Sequence, residues 1–345
     1  MSLSLDSGAL NSRASDDGSI WEKLGKAIGQ IEKPETPFVT GEGDANAVDP
    51  NDVKQDGYGS CGVLSTLETI AQQNPAAIQG MIQDNGDGTY TVTFQERAED
   101  GSWQEVEVTV SGPFDGGAAD PSGDVNSRGE QEIWPAIIEK AYAQQYKSDD
   151  QHYSSGVFPS DVMEHILGAD ADVAAPDQVS FADMEQKLDD GEAVVAWTAG
   201  FDTKEQQALA QQYGISGGHA YSVSDVVPAG TQYTDPNTGQ TMTATEDMVI
   251  LDNPWGHGDV VMPYSDFQTA YYRVDSAPTH CSAARARRST APSGTCVESW
   301  RPSDQGLRCA ASRCCCRPAC LPALPSAARP ASRRHHQWEH PAAKP

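Results

Sequence analysis

Apolar residues recur along residues 46–275 with two different periods. Directly after Cys61, the positions Val63, Leu64, Leu67, Ile70 and Ala71 fall three and four apart as far as Asn74-Pro75, which predicts a helix that this dipeptide stops. The segment EIWPAIIEKAYAQQY (132–146) repeats the period, with Ile133, Trp134, Ile137, Ile138 and Ala141 on one face. A smaller helix is expected near 160–167, and SFADMEQKLDDGEAVVAWT reads as a Ser-capped helix, a glycine stop and a buried strand. Alternation replaces this period in TYTVTF and in EVEVTV at 105–110, a hairpin entered through the turn Asn85-Gly86-Asp87-Gly88. Later runs, GGHAYSVSDVV, MVILDNP and GDVVMP, are strand-like and broken by turn residues, and YSDFQTAYYRV predicts a short helix and a last strand. Helices come early and strands late, so the expected fold class is α+β in two lobes rather than a repeating βαβ sheet.

The ends lack these patterns. Residues 1–45 are rich in Ser, Asp, Gly and Glu, with a short helical period only at Ile20–Ile31; a flexible arm is expected there. Residues 111–129 read as a loop. From 276 to 345 Ala, Arg, Pro, Ser and Cys dominate without period, and such a tail buries too little apolar area to offset its chain entropy. A shifted reading frame of GC-rich DNA is a hypothesis for this stretch, open to test by resequencing.

Charge sharpens the division. Residues 1–275 hold 47 acidic and 12 basic side chains, the remainder 3 and 11, so the net −27 is a sum of opposites. An acidic body of this kind repels phosphate backbones, and no nucleic-acid partner is expected. No apolar run of membrane-spanning length occurs. The first residues show no Sec-type signal, leaving a cytoplasmic location or export by another route. Seven of the eight cysteines lie after residue 280, so Cys61 alone serves the body and a disulfide framework there is excluded. The tail's C-x4-C-C-C-x3-C run fits none of the usual paired metal spacings, and no metal ligand is assigned.

Cys61 opens its helix behind Gly57-Tyr58-Gly59-Ser60, where the helix macrodipole favours a thiolate. A thiol nucleophile needs a base and a group that orients the base. His219, in GGHAYSV, leads into a strand; Asn253, in DNPWG, follows one; Gln55, six residues before Cys61, is placed to donate to an oxyanion. Each has a plainer alternative: a buried small thiol, a core histidine, a turn asparagine, a loop glutamine.

As strings these segments resemble the calpain family of papain-like cysteine peptidases. Q-D-G-Y-G-S-C (55–61) is similar to that family's nucleophile motif, G-H-A-Y-S-V (218–223) to its histidine motif and N-P-W-G (253–256) to its asparagine motif. EIWPAIIEKAYA and MPYSDFQTAYYRV resemble further stretches of its protease core, in the same order over about 45–275. The resemblance implies a helical lobe presenting Cys61 and a β-rich lobe presenting His219 and Asn253, with Gln55 in the oxyanion hole and Trp255 shielding the His–Asn pair. It implies an endopeptidase working on protein or peptide substrates through a thioester acyl-enzyme. Ser60 and Gly62 depart from the family's Asp and aromatic at those positions, and PAGTQYTDPNTGQTMTATED is expected to be a surface hairpin insertion. No cofactor is needed for such chemistry. Calcium is left undecided, because the acidic turn Asp84–Asp87 lacks the EF-hand pattern. Two alternatives stand: a binding module without chemistry, and a transglutaminase-like acyl transferase in which Asp252 orients the base.

Overall fold

The computed structural model describes residues 35–41, 44–112, 125–147, 153 and 156–280. The expected N-terminal arm up to residue 34, the helical stretch at 20–31 and the tail from 281 lie outside these residues. The chain divides into two units, 1–289 and 290–345, and the description concerns the first.

Helix α1 (Cys61–Gln73) ends where expected, with Asn74 as its C-terminal cap. Pro75 does not open a loop: it is the first residue of a second helix, α2 (Pro75–Met81). The same missing N–H that ends one helix suits the first turn of the next, where that donor has no partner anyway. A three-stranded antiparallel sheet follows, β2 (Ile82–Asp84), β3 (Tyr90–Arg97) and β4 (Trp103–Val110), in the order β2-β3-β4. Helix α3 (Trp134–Tyr146) starts two residues later than the periodicity suggests. Gln131 and Glu132 instead form a short strand, β5, paired in parallel with β1 (Glu35–Thr36).

Helices α4 (Pro159–Leu167) and α5 (Phe181–Asp189) flank strand β6 (Asp172–Ala174). A capping box from Ser180 and Asp183 starts α5, as its sequence predicts. Strand β7 (Glu192–Trp197) leads to α6 (Lys204–Tyr213), a mostly exposed helix, and then to β8 (Ala220–Val227). The polar insertion forms the hairpin β9 (Gln232–Thr234) and β10 (Thr241–Thr243). Strands β11 (Met248–Asp252) and β12 (Val260–Pro263), helix α7 (Tyr264–Ala270) and strand β13 (Arg273–Pro278) complete the described chain, the last strand running three residues past 275. Six strands form one antiparallel sheet in the order β12-β11-β8-β7-β13-β6.

Two hydrophobic clusters meet at this sheet. Strand β7 shows why: Ala193 and Val195 enter a cluster with α1–α4 and β2–β4. Val194 and Ala196 enter another with α5, β8, β11 and α7. Successive strand residues face opposite sides, so a strand buried on both reads as an uninterrupted apolar run.

Helix α1 lies against β7 and β8, and its polar side chains fix the alignment. Ser222 Oγ donates to Glu68 Oε2 at 2.7 Å, and Gln72 Nε2 donates to the Ser224 carbonyl at 2.9 Å. Glu68 and Gln72 are one helical turn apart, about 6 Å of rise, which matches a two-residue step along a strand. Continuing the match backward sets Leu64 level with Ala220 and Cys61 level with Gly218 and His219, which lead into β8.

Candidate active site

Cys61 is the first residue of α1 and 7% exposed. The turn that presents it is crowded by main chain. A Cβ on Gly62 would stand 2.0 Å from the Val157 carbonyl oxygen, and one on Gly59 would stand 2.5 Å from that of Tyr153. Burial raises the thiol's pKa, while the backbone N–H groups of Ala220 and Gly62 pull it down. The sulfur thus sits at the residue that follows His219. Gly62, where the resembling family carries an aromatic, has no space for one.

His219 is fixed through its backbone. Its N–H donates to Thr198 Oγ1 at 3.0 Å, and its carbonyl accepts from the Thr198 N–H at 2.9 Å. The ring is 5% exposed, edge-on to Tyr221 with centroids 4.8 Å apart and covered by Trp255 at 4.4 Å. Its Nε2 lies 2.9 Å from Asn253 Oδ1. That oxygen also accepts from the Trp255 backbone N–H at 3.2 Å, which settles the orientation of the amide, since an NH2 group accepts from neither. The neutral imidazole therefore carries its proton on Nε2 and leaves Nδ1 as the basic nitrogen. Burial lowers the His219 pKa, and the hydrogen bond to Asn253 works the other way.

Asn253 is itself held by its N–H donating to Asp259 Oδ1 at 3.0 Å, in a turn where Gly256 and Gly258 have φ of 71° and 76°. Asp252, the alternative orienting residue, accepts from Ser224 Oγ at 2.9 Å and makes no bond to His219. Its carboxyl is pushed up to about 6, by burial first. Gln55 joins the same turn, its backbone N–H donating to the Pro254 carbonyl at 2.6 Å. Its side-chain Nε2 donates to the Tyr58 carbonyl at 2.7 Å, a partner within its own loop, while Oε1 is buried with no partner. The structure thus joins two pairs, Cys61 with the start of β8 and Gln55 with the Asn253–Trp255 turn, and links Asn253 to His219.

The other described histidines do different work. His165 stacks on Tyr146 at 3.9 Å and meets the Tyr142 hydroxyl, and His257 lies edge-on to Trp255; His152 lies outside the described residues. Asp84 and Asp87 accept from backbone N–H groups of their own turn, so these carboxylates close the hairpin. Among the described residues no group of three or more His, Cys, Asp or Glu is disposed to hold a metal, and no helix is long and apolar enough to cross a membrane. Sequence reasoning missed two parts: the Ala220 N–H, invisible because any residue supplies it, and Glu139, which α3 buries completely.

The model of the calpain family cysteine proteases matches residues 29–287. A Caenorhabditis elegans protein named calpain-5 is 26% identical over 317 residues, 85% of this chain and 45% of its own. Rat calpain-13 is 28% identical over 215 residues, 60% of this chain and 29% of its own. Mouse calpain-9 is 24% identical over 264 residues, 74% and 34%. The chain spans less than half the length of these curated relatives.

Proposed function

The chain belongs to the calpain family of cysteine proteases, and from that premise we propose that it is an endopeptidase with Cys61 as nucleophile, His219 as base and Asn253 as the group that orients the base. The observation that carries the proposal is the bond from His219 Nε2 to Asn253 Oδ1, made at the end of β8 that abuts the Cys61 thiol. It leaves Nδ1 free for the sulfur's proton. The two hydrophobic clusters on either side of the sheet support a papain-like arrangement in two lobes.

In the reaction, Nδ1 takes the thiol proton as sulfur adds to the scissile carbonyl. The backbone N–H of Cys61, in the first turn of the helix where no intrahelical acceptor is available, donates to the developing oxyanion. Gln55 supplies a second donor from its amide, which has one N–H beyond that given to Tyr58. His219 returns the proton to the departing amine, leaving a thioester. It then takes a proton from water as hydroxide adds, and thiol and carboxylic acid are released. Trp255, over the imidazole, keeps water from the His–Asn bond. The substrates are proteins or peptides in an extended conformation, and no step passes through calcium.

The test is hydrolysis of a casein-type substrate by the full chain under reducing conditions, with and without calcium. Cys61→Ala is expected to lower turnover by at least ~10³-fold with an unchanged Tm. Equal activity in that variant ends the assignment.

A further inference from the structure

Glu139 is the buried group that the reaction above leaves unused. It lies on α3, is 0% exposed, and neither carboxyl oxygen has a hydrogen-bond partner. Facing it is Ser60, also 0% exposed, whose hydroxyl has no partner of hydrogen-bond geometry yet lies close enough to act on the carboxyl. Ser60 is the N-cap of α1, the residue before Cys61, yet its side chain caps nothing. Two unpartnered polar groups beneath the start of the nucleophile helix call for an explanation, since such groups are normally satisfied.

The surroundings show what Glu139 holds. The Tyr153 hydroxyl donates to the Glu139 backbone carbonyl. Tyr153 in turn presents its own carbonyl to Gly59, at a distance that only glycine tolerates, and adopts a left-handed φ of 58°. Glu139, Tyr153, Gly59 and Ser60 thus close a ring of contacts, with Cys61 the next residue out.

We propose, on the reading that Cys61 is the nucleophile, that Glu139 is a positioning residue that acts as the neutral acid. Its O–H and the Ser60 hydroxyl satisfy each other, hold the turn that aims the sulfur, and keep a second negative charge away from the helix start. A neutral carboxyl has one donor and keeps acceptor capacity, and a hydroxyl has both, so the pair can be mutually satisfied. The positive end of α1 then serves the anion that forms on Cys61 and the oxyanion beside it.

The charges around Glu139 agree. Asp56, from the loop before α1, raises its pKa, and Ser60 lowers it by favouring the ionised form; burial is the largest cause, and the carboxyl is pushed up to about 8. Tyr153, whose own pKa is raised well above the ordinary value, is neutral at working pH. On α3, Lys140 turns its Nζ to the Ser111 carbonyl, at 3.1 Å. Among the described residues no cation pairs with Glu139. Two outcomes follow from one protonation state: an aligned thiol below that pH, and a buried negative charge opposing thiolate formation above it.

The experiment measures kcat and KM across pH for the full chain, alongside the rate of iodoacetamide alkylation at the Cys61 peptide. Glu139→Ala is expected to lower kcat about tenfold with KM little changed. Glu139→Gln, which cannot ionise, restores most of that loss and carries the alkaline limb to higher pH. Ser60→Ala also moves that limb upward, because it removes the group that favours the carboxylate, and it serves should either Glu139 variant fail to fold. The same alkaline limb in wild type, Glu139→Gln and Ser60→Ala overturns the proposal, as does Glu139→Gln falling as low as Glu139→Ala. A Cys61 that alkylates no faster than the tail thiols overturns the peptidase reading itself, and this one with it.

Discussion

At Cys61 the chain is fixed by shape. Gly59 and Gly62 press against the carbonyls of Tyr153 and Val157, and few side-chain hydrogen bonds take part. At His219 it is fixed by directed bonds: Thr198 clamps the backbone, Asn253 accepts from the ring N–H, and Trp255 and Tyr221 enclose the ring. The two corners do different jobs. A nucleophile must arrive at one place at the head of a rigid helix, which close main-chain packing secures. A base must carry its proton on one nitrogen and present the other, which only hydrogen bonds specify. Damage to the first corner should therefore appear as lost stability, and damage to the second as lost turnover in a folded protein.

The largest effect should come from Gly62→Ala. The Val157 carbonyl belongs to backbone and cannot swing aside, so a stability loss of about 3 kcal/mol is expected from the overpacking, read as a fall in Tm accompanied by lower activity. A Tm within a degree or so of wild type would break the comparison. Next is Asn253→Ala. Losing the acceptor that sets the tautomer should lower kcat about 10²-fold, or about 2.7 kcal/mol, with little change in KM and a much smaller change in Tm than for Gly62→Ala; a comparable Tm loss would make both corners structural. The smallest is Trp255→Ala, about fivefold in kcat/KM, roughly 1 kcal/mol. Exposing His219 also removes the burial that lowers its pKa, so the acid limb of kcat/KM should move to higher pH. A stationary limb would show that Tyr221 and the sheet, without Trp255, keep the ring dry.

The two corners also differ in how far the sequence announces them. Cys61 stands out because the helix after it has a strong apolar period, and His219 and Asn253 lie at strand ends among Gly and Pro. What the sequence hides is tertiary. Pro75 reads as a stop because periodicity does not say whether a proline ends one helix or begins another. Helix α6 has few apolar positions and escapes a hydrophobic scan, yet its capping box, Thr203 with Gln206, is readable in TKEQ. The amide of Gln55 is directed to Tyr58 by a turn that no spacing reveals. Glu139 reads as a polar break in an apolar helix face, and only the packing of α3 beneath α1 shows that it is buried.

The buried acids reach beyond the site. Glu68 and Glu139 carry pKa values raised well above the ordinary 4.5, and Asp252 above 3.8, each chiefly through burial. Such groups hold protons that the unfolded chain releases, so folding takes protons up. Between about pH 4 and the folded values, stability should fall as pH rises, at about 1.4 kcal/mol per pH unit for each group still protonated only in the fold. The exposed turn acids Asp87, Asp100 and Asp183, with pKa values lowered by their hydrogen bonds, act oppositely and withdraw stability as pH drops below about 4. Tm should therefore peak on the acid side of neutrality, while a neutral His219 requires the pH to lie above its own titration. Stability thus favours acid pH while the proposed base is ready only above its own titration, and the working pH is a settlement between the two.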